Sequence, residues 1–236
     1  MYGLTFNGKH SINDFGLIMD HKYIYPPSKI KIKQQVPYMN YFYDFSTVGT
    51  NGDPVFDSRK IEVKFGLISR KHDKKDLQNL YTQVCEWLMD CNQSQLKFDD
   101  IPDYYFTAEV EEVSSWEELQ WWGFITADFI TEPFKEGVSQ VGTEQLWDPF
   151  NFETDYLQDT EFDVNGSKEV TIYNPGRPVT PQLSCNAQMV CTLNGYITTF
   201  PVGDSIDYEF KLQNGANTIQ ISGAGHVSFN FRKETL

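Results

Sequence analysis

Paired carboxylates are the first residues of this sequence whose spacing suits catalysis. Glu109 and Glu111 lie two apart in a predicted strand, so both side chains point the same way, about 7 Å apart. That separation suits the acid and base of a glycosidase. However, Glu112 adjoins them, and catalytic carboxylates usually come from separate elements of a chain. A solvated strand face is the better interpretation, and no catalytic residue is predicted.

Other side chains that could do chemistry also lack a working arrangement. None of the four histidines lies in a zinc motif or beside a nucleophile: His10, His21, His72 and His226. Asp99, Asp100 and Asp103 cluster before a strand, but they lack the glycine and closing glutamate of a calcium-binding loop. The Gly223 and Gly225 pair precedes a strand rather than a helix, so it predicts no phosphate site. We expect no metal, no cofactor and no enzyme activity.

The cysteines predict reduced, buried thiols. Cys85 and Cys91 lie on a predicted helix, and Cys185 and Cys191 lie on a predicted strand. Neither pair has zinc or redox spacing, and residues six apart in these elements cannot close a local disulfide. Reduced thiols fit assembly in a cytoplasm. The sequence also shows no signal-peptide core and no run of membrane-spanning length.

One helix is predicted over about 73–91, and the rest of the chain is arranged around it. Seven apolar side chains recur there at three- and four-residue steps and share one face: Leu77, Leu80, Tyr81, Val84, Trp87, Leu88 and Cys91. Asp73 is expected to accept a hydrogen bond from the first turn, and Asp76 adds favourable charge there. Elsewhere apolar residues alternate with period two. The sequence therefore predicts a mainly β protein with one helix packed on a sheet.

The N-terminal half, residues 1–136, reads as strands around this helix. Residues 1–36 are predicted as strands, and in Ile30–Lys33 the isoleucines should be buried while the lysines are solvated or pair with an acidic neighbouring subunit.

Residues 37–58 are aromatic and then rich in turn signals, which predicts an arm that leaves the body. Its apolar side chains should not stay in water. They either fold back onto their own domain or lie on a partner subunit: Tyr38, Tyr41, Phe42, Tyr43 and Phe45.

A second domain is predicted over 137–236, after a linker at about 136–160 where periodicity is lost. Turn signals recur at Asn165-Gly166, Asn174-Pro175-Gly176, Asn194-Gly195 and Asn214-Gly215. Their spacing predicts short strands in a β-sandwich, including separate strands at Thr218–Ser222 and His226–Arg232. Because such sandwiches often bind glycans, a carbohydrate-binding module is the alternative function. No tryptophan lies in this domain beyond the linker, so the possible sugar platforms are Tyr173, Tyr196 and Tyr208.

Charge limits the partners further. The chain has 33 acidic and 19 basic side chains, a formal net charge of −14. Such a protein should not attract duplex DNA or an anionic membrane by charge. It could, however, line a passage for a polyanion without retaining it.

Seven sequence segments, taken in order, resemble the distal tail proteins of siphophages, the long-tailed bacteriophages. The N-terminal half contributes GLTFNGKHS with DFGL, the VP…YDFS stretch followed by the Arg59–Phe65 strand, the helix and its sequel LKFDDIPDYYFTAEV. The C-terminal half contributes VTIYNPG, a central strand pair at Asn194-Gly195 and the ending LQNGANTIQISGAGHVSFNFR. One departure lies in the arm, where family members often have glycines after the proline and this chain has Pro37-Tyr38-Met39-Asn40-Tyr41.

The resemblance implies a structural virion component. Such proteins form a six-subunit ring at the end of the tail tube; the N-terminal domain makes the ring, an arm grips the neighbour, and a galectin-like sandwich points outward. The implied partners are other copies of the chain, the tail tube protein, the tape measure protein and a tail-tip, tail-associated or receptor-binding protein. DNA passes through without specific binding, and no membrane contact is implied. Lumen or rim acids are then expected at Glu109, Glu111 and Glu112.

Overall fold

The computed structural model describes residues 2–48, 52–142 and 156–236, and it divides the chain into two compact units. One unit comprises 1–101, 105–135 and Leu236, and the other comprises 102–104 and 136–235. The prediction of a mainly β protein with a packed helix is confirmed. Neither helix found in the described ranges is long and apolar enough to cross a bilayer.

The first unit is one antiparallel sheet covered by a helix. Its strands are β1 (Leu4–Phe6), β2 (Lys9–His10), β3 (Ile18–Ile24), β6 (Arg59–Ile68), β7 (Ser94–Phe98), β8 (Tyr104–Glu118) and β9 (Trp122–Thr131). They lie side by side in the order β2-β1-β7-β8-β9-β6-β3. Between β3 and β6 the chain leaves the sheet as a ribbon of β4 (Lys33–Gln35) and β5 (Phe42–Asp44).

Helix α2 (Lys74–Met89) covers one face of this sheet. Its buried side chains, Leu77, Val84, Trp87 and Leu88, are those that the 3.6-residue periodicity selects. They pack on the alternate buried residues of β6, and the Trp87 Nε1–H donates to the Phe6 carbonyl at 2.9 Å. The expected capping bond from Asp73 is wrong, because its side chain accepts no hydrogen bond from the first turn. The Asp76 carboxylate accepts hydrogen bonds at this end of the helix instead, from the Ser69 hydroxyl and the Lys71 backbone N–H.

A second, short helix departs from the all-strand prediction for residues 1–36. Helix α1 (Ser11–Phe15) follows β2 directly. The His10 ring nitrogen Nδ1 accepts from the backbone N–H groups of Ile12 and Asn13, and Gly16 ends the helix at φ +70°. Histidine is an uncommon residue at a helix N-terminus, so the sequence pattern does not show this cap.

The second unit begins with β10 (Lys135–Gln140), which lies within the predicted linker and pairs with β17 (Arg232–Thr235). Residues 143–155 of that linker lie outside the described residues. The other strands are β11 (Glu161–Asn174), β12 (Gln182–Cys185), β13 (Met189–Leu193), β14 (Tyr196–Phe200), β15 (Gly203–Ile206) and β16 (Gly215–Asn230). β11 pairs with β16 over fourteen consecutive residues.

The long strands β11 and β16, with the divided pairs β12 with β13 and β14 with β15, make up this second sheet. β12 and β13 pair with β16 in one register, since Cys185 faces Val227 and Met189 faces Gly223. They are therefore two parts of one strand, interrupted at residues 186–188. Along its other side, β14 pairs with β13 and β15 pairs with β12, in registers that differ by one residue. Asn194 and Gly195 make the tight turn between β13 and β14, with φ +50° and +84°, as the sequence predicts.

The sequence predicts that strands end at two glycine positions, and both of these predictions are wrong. Gly166 lies inside β11 and faces Gly223 inside β16, so neither residue ends a strand. At Gly225 an added Cβ would lie 2.2 Å from the Asn186 Oδ1 atom, which accepts the His226 N–H. Gly223 and Gly225 let β16 continue where residues 186–189 approach closely, whereas nothing lies within 4 Å of a Cβ added at Gly166.

Candidate subunit interface

The arm is an extension of the β3–β6 ladder. Ile24 faces Ile61, the Tyr25 N–H donates to the Lys60 carbonyl, and Lys29 faces Phe56, all in one register. Beyond this point the ribbon narrows to β4 and β5, where Lys33 faces Asp44 and Gln35 faces Phe42. The predicted turn at Asn51 lies outside the described residues. The arm is therefore a hydrogen-bonded ribbon with its own strand faces.

One face of this ribbon is apolar. Directly opposed residues of antiparallel strands share a face, so Ile32 lies with Phe45, and Gln34 lies with Tyr43. Tyr41, Tyr43 and Phe45 form a row of rings, with centroids 5.7 Å and 6.3 Å apart. The opposite face carries Lys31, Lys33, Gln35, Phe42 and Asp44.

All five predicted arm residues are exposed in the single subunit. The exposed fractions are 55% for Tyr41, 59% for Phe42, 43% for Tyr43 and 45% for Phe45, and Tyr38 is fully exposed. Ile30 and Ile32 are exposed as well, so the expectation that they are buried is wrong within one subunit. Within the described residues of one subunit, these side chains are not buried against their own domain, and their contact with a partner subunit stays a prediction. The described residues of the chain leave this apolar row at least partly uncovered.

Hydrogen bonds around Asp44 hold the base of the ribbon. The Ser46 N–H donates to Asp44 Oδ1 at 2.9 Å, and Lys31 Nζ lies 3.3 Å from Oδ2. Hydrogen bonds from the Ser46 side chain and backbone, with a smaller contribution from Lys31, lower the pKa of Asp44 to about 2. The Ser46 hydroxyl also accepts the Ile32 N–H at 2.8 Å and is buried. The ribbon is thus fixed before any partner binds.

The predicted lumen acids lie on β8 and are exposed, but they are not equivalent. Glu109 faces Ile130 and Glu112 faces Asp128, which puts both on the face of the sheet that α2 does not cover. Glu111 is the extra residue of a β-bulge, so the regular alternation assumed for Glu109 and Glu111 is wrong. Asp128 itself is buried beside Lys60 Nζ, at 3.0 Å. The helix-free face is therefore rich in carboxylates.

The three tyrosines proposed as sugar platforms differ in availability. Tyr173 stacks on Tyr156 at 4.5 Å, so one of its ring faces is already occupied. The Tyr196 hydroxyl donates to Asp207 at 2.9 Å. Tyr208 alone of the three is largely free, with 77% of its surface exposed. No shared platform of the three is formed.

The aspartates considered for a cation have other partners. Asp99 accepts the Gly3 N–H at 2.7 Å and contacts the His10 ring, and Asp100 pairs with Lys22. Within the described ranges, no group of three or more acidic, histidine or cysteine side chains could hold a metal ion.

Solved structures contain a counterpart of this fold. The crystal structure of the Dit protein of phage SPP1 matches 100% of this chain over 100% of its own length, with a TM-score of 0.68 and 13% sequence identity. The chain has the Dit fold. The sequence resemblance to distal tail proteins is therefore confirmed as a shared fold. The SPP1 Dit protein is described as a paradigm of the hub of the adsorption apparatus in phages that infect Gram-positive bacteria.

A second match to a solved structure is weaker. A chain of the phage p2 baseplate in its activated conformation matches with a TM-score of 0.41 and 9% identity, covering 99% of this chain and 98% of that one. No family model and no curated protein matches the sequence. The Dit fold is thus recognised here through structure.

Sequence reasoning missed a second exposed aromatic row, on β3. The rings of His21, Tyr23 and Tyr25 follow one another with centroids 5.0 Å and 6.4 Å apart. The period-two pattern in HKYIY is visible in the sequence. This pattern does not mark the row as a surface, because the alternation of a strand does not tell which of its two faces remains uncovered.

Proposed function

We propose that this chain is a structural hub of a siphophage tail, and that six copies form a ring joining the tail tube to the tip or baseplate. The exposed apolar face of the arm ribbon carries the proposal. Covering a half-exposed aromatic ring contributes on the order of 1 kcal/mol, so several rings per subunit can hold a ring of identical contacts together. The Dit fold supports the same role.

The remaining assignments follow from this arrangement. The first unit forms the ring, and its helix-free face, with Glu109 and Glu112 and the exposed bulge residue Glu111 beside them, lines or rims a channel through which DNA passes without binding. The arm side chains Tyr38, Tyr41, Phe42, Tyr43 and Phe45 lie on the neighbouring copy. The tail tube, tape measure and tip or receptor-binding proteins are the further partners. The protein assembles in the host cytoplasm and ends in the virion tail, with no enzymatic role.

Light scattering and negative-stain microscopy on the purified protein test the ring. The expected particle has six times the 27.3 kDa chain mass and a central opening. Replacing Tyr41, Tyr43 and Phe45 together with serine should leave a folded monomer. The matched control is Tyr208→Ser, an exposed tyrosine on the other unit, which should assemble normally. A strict monomer of the unmodified protein at high concentration would contradict the proposal.

A carbohydrate-binding module remains the second candidate, because the exposed Tyr208 ring could stack on a sugar. Binding to host cell-wall polysaccharide that is lost in Tyr208→Ala and kept in Tyr173→Phe would support it. No binding to that polysaccharide by the assembled protein would remove it.

A further inference from the structure

The first unit contains a buried cation to which the described residues offer no anion. Arg59 is the first residue of β6, at the point where the arm rejoins the sheet, and it is only 5% exposed. Because side chains alternate along a strand, it points to the same face as the buried Ile61 and Val63. Its Nε atom is buried and has no hydrogen-bond partner, and the guanidinium makes no ion pair within the described ranges.

The residues around Arg59 are uncharged. In the row across the sheet it faces Thr131, which faces Ala108 in turn, and both of these neighbours are buried. The Phe106 ring lies 5.5 Å from the Arg59 Cζ atom, so it contacts the guanidinium but supplies no oxygen to its N–H groups. Burial lowers the pKa of Arg59, yet an arginine remains charged at neutral pH. The N–H donors of this cation are therefore available to a ligand.

The other buried charge in the described part of this unit is already paired. Asp128 is buried on the helix-free face, and its Oδ2 atom lies 3.0 Å from Lys60 Nζ. Arg59 points to the opposite face, so the sheet separates it from Asp128 and from the acids at Glu109 and Glu112. A buried charge without a counter-charge is strongly unfavourable. The contrast with Asp128 indicates that the counter-charge of Arg59 comes from another molecule.

We propose that Arg59 binds a carboxylate that a second molecule supplies. The planar guanidinium presents its N–H groups as a fork, which matches the two oxygens of a carboxylate. Because the residue is only 5% exposed, its ligand is small or planar at the contacting end, and duplex DNA does not fit. A free carboxylate anion and an acidic side chain of a second copy present this same group. The inference does not depend on the proposed hub function.

NMR of the arginine side chains tests the site directly. The chain has four arginines, so the Nε–H signal of Arg59 can be assigned by its loss in Arg59→Met. Sodium acetate, added at an ionic strength held constant with sodium chloride, should displace this signal in a saturable way. The exposed Arg70 is the matched control, and its signal should move several-fold less. Equal displacement of the two signals, or no displacement by acetate, would overturn the proposal.

Thermal unfolding gives a second readout. In a carboxylate-free buffer, Arg59→Met removes an uncompensated charge and keeps a long apolar side chain, so its Tm should be higher than that of the unmodified chain. Acetate should raise the Tm of the unmodified chain but not that of Arg59→Met. Arg70→Met should retain the acetate response. A lower Tm for Arg59→Met would show that the guanidinium is paired within its own chain, which overturns the proposal.

Assembly separates the two sources of the carboxylate. If a second copy supplies it, Arg59→Met should need at least tenfold more protein for half assembly, and acetate should weaken assembly of the unmodified chain. If the ligand is a free anion, both proteins should assemble alike while acetate still displaces the Arg59 signal. An unmodified protein that stays monomeric contradicts the hub function, and the NMR and Tm measurements then decide the Arg59 site alone.

Discussion

Tyr196 and Asp207 are eleven residues apart along the chain, yet the tyrosine hydroxyl donates to Asp207 Oδ2 over 2.9 Å. An extended strand of that length would separate them by about 36 Å. β14 and β15 run in the same direction beside β13 and β12, so the chain between Tyr196 and Asp207 must bend rather than form one straight strand. Thr198 donates to the same carboxylate oxygen at 2.6 Å. Asp207 thus joins the two ends of this bent segment.

Replacing Asp207 with asparagine should destabilise the second unit by about 1–3 kcal/mol, because a carboxylate accepts these hydroxyls and the Glu209 N–H more strongly than an amide does. Urea unfolding followed by circular dichroism measures the change. Asp159→Asn, at an exposed aspartate, is the control and should change stability by less than about 0.5 kcal/mol. Equal effects of the two variants would contradict the role given to Asp207.

The same contact should depend on pH. Partial burial raises the pKa of Asp207, but hydrogen bonds from Thr198, the Glu209 backbone and Tyr196 outweigh it and lower the pKa below the ordinary 3.8. A carboxylate with a lowered folded pKa stabilises the fold above 3.8, and this contribution is lost as the pH falls through the folded value. The stability difference between the unmodified chain and Asp207→Asn should therefore be constant at neutral pH and shrink below pH 4. A difference that does not shrink at all as the pH falls from 4 to 2 would contradict this.

Asp44→Asn should loosen the arm without unfolding either unit. With a folded pKa of about 2, the Asp44 carboxylate keeps its bonds to Ser46 above pH 3.8 and loses them as the pH falls towards 2. Chymotrypsin cleavage after the arm aromatics at neutral pH should become several-fold faster in the variant. Lys33→Gln, which changes the exposed residue facing Asp44, is the control and should be cleaved at the unmodified rate.

Gly225→Ala should destabilise the second unit by more than about 2 kcal/mol, because its Cβ would meet Asn186 Oδ1 at 2.2 Å and the Ala187 Cβ at 2.9 Å. Gly166→Ala is the matched comparison. It has a φ of +90° but nothing within 4 Å of the added atom, so only backbone strain of about 1 kcal/mol is expected. Thermal unfolding compares the two, and an equal loss would show that the close approach to Asn186 is unimportant.

Trp87→Phe should cost the first unit roughly 2–4 kcal/mol. The indole is 3% exposed, stacks on Phe15 and donates to the Phe6 carbonyl, so the variant leaves both a cavity and an unpaired acceptor. Chemical unfolding of Trp122→Phe, at the exposed β8–β9 turn, provides the control. It should lose less than about 1 kcal/mol, and a comparable loss would contradict the central position of Trp87.

The sequence predicts the features that depend on a single repeating pattern. The face of α2 follows from its 3.6-residue period, and Asn194-Gly195 marks a hairpin because few residue pairs adopt two positive φ angles. The bulge at Glu111 and the positions of Gly166 and Gly223 inside strands could not be predicted in this way. A glycine that ends a strand and one that lies within a strand look alike until the pairing partner is known. For the arm, alternation at Ile30 and Ile32 shows an apolar face but not which molecule covers it.

The ladder of β3 and β6 runs on to Lys29 and Phe56 at the base of the arm, which has a mechanical consequence. Force that reaches this base is carried through successive backbone hydrogen bonds into β6, which is bonded on its other side to β9. A subunit pulled at the base of its arm thus resists tension with the whole sheet, and the arm is torn out only when many bonds are loaded in shear together.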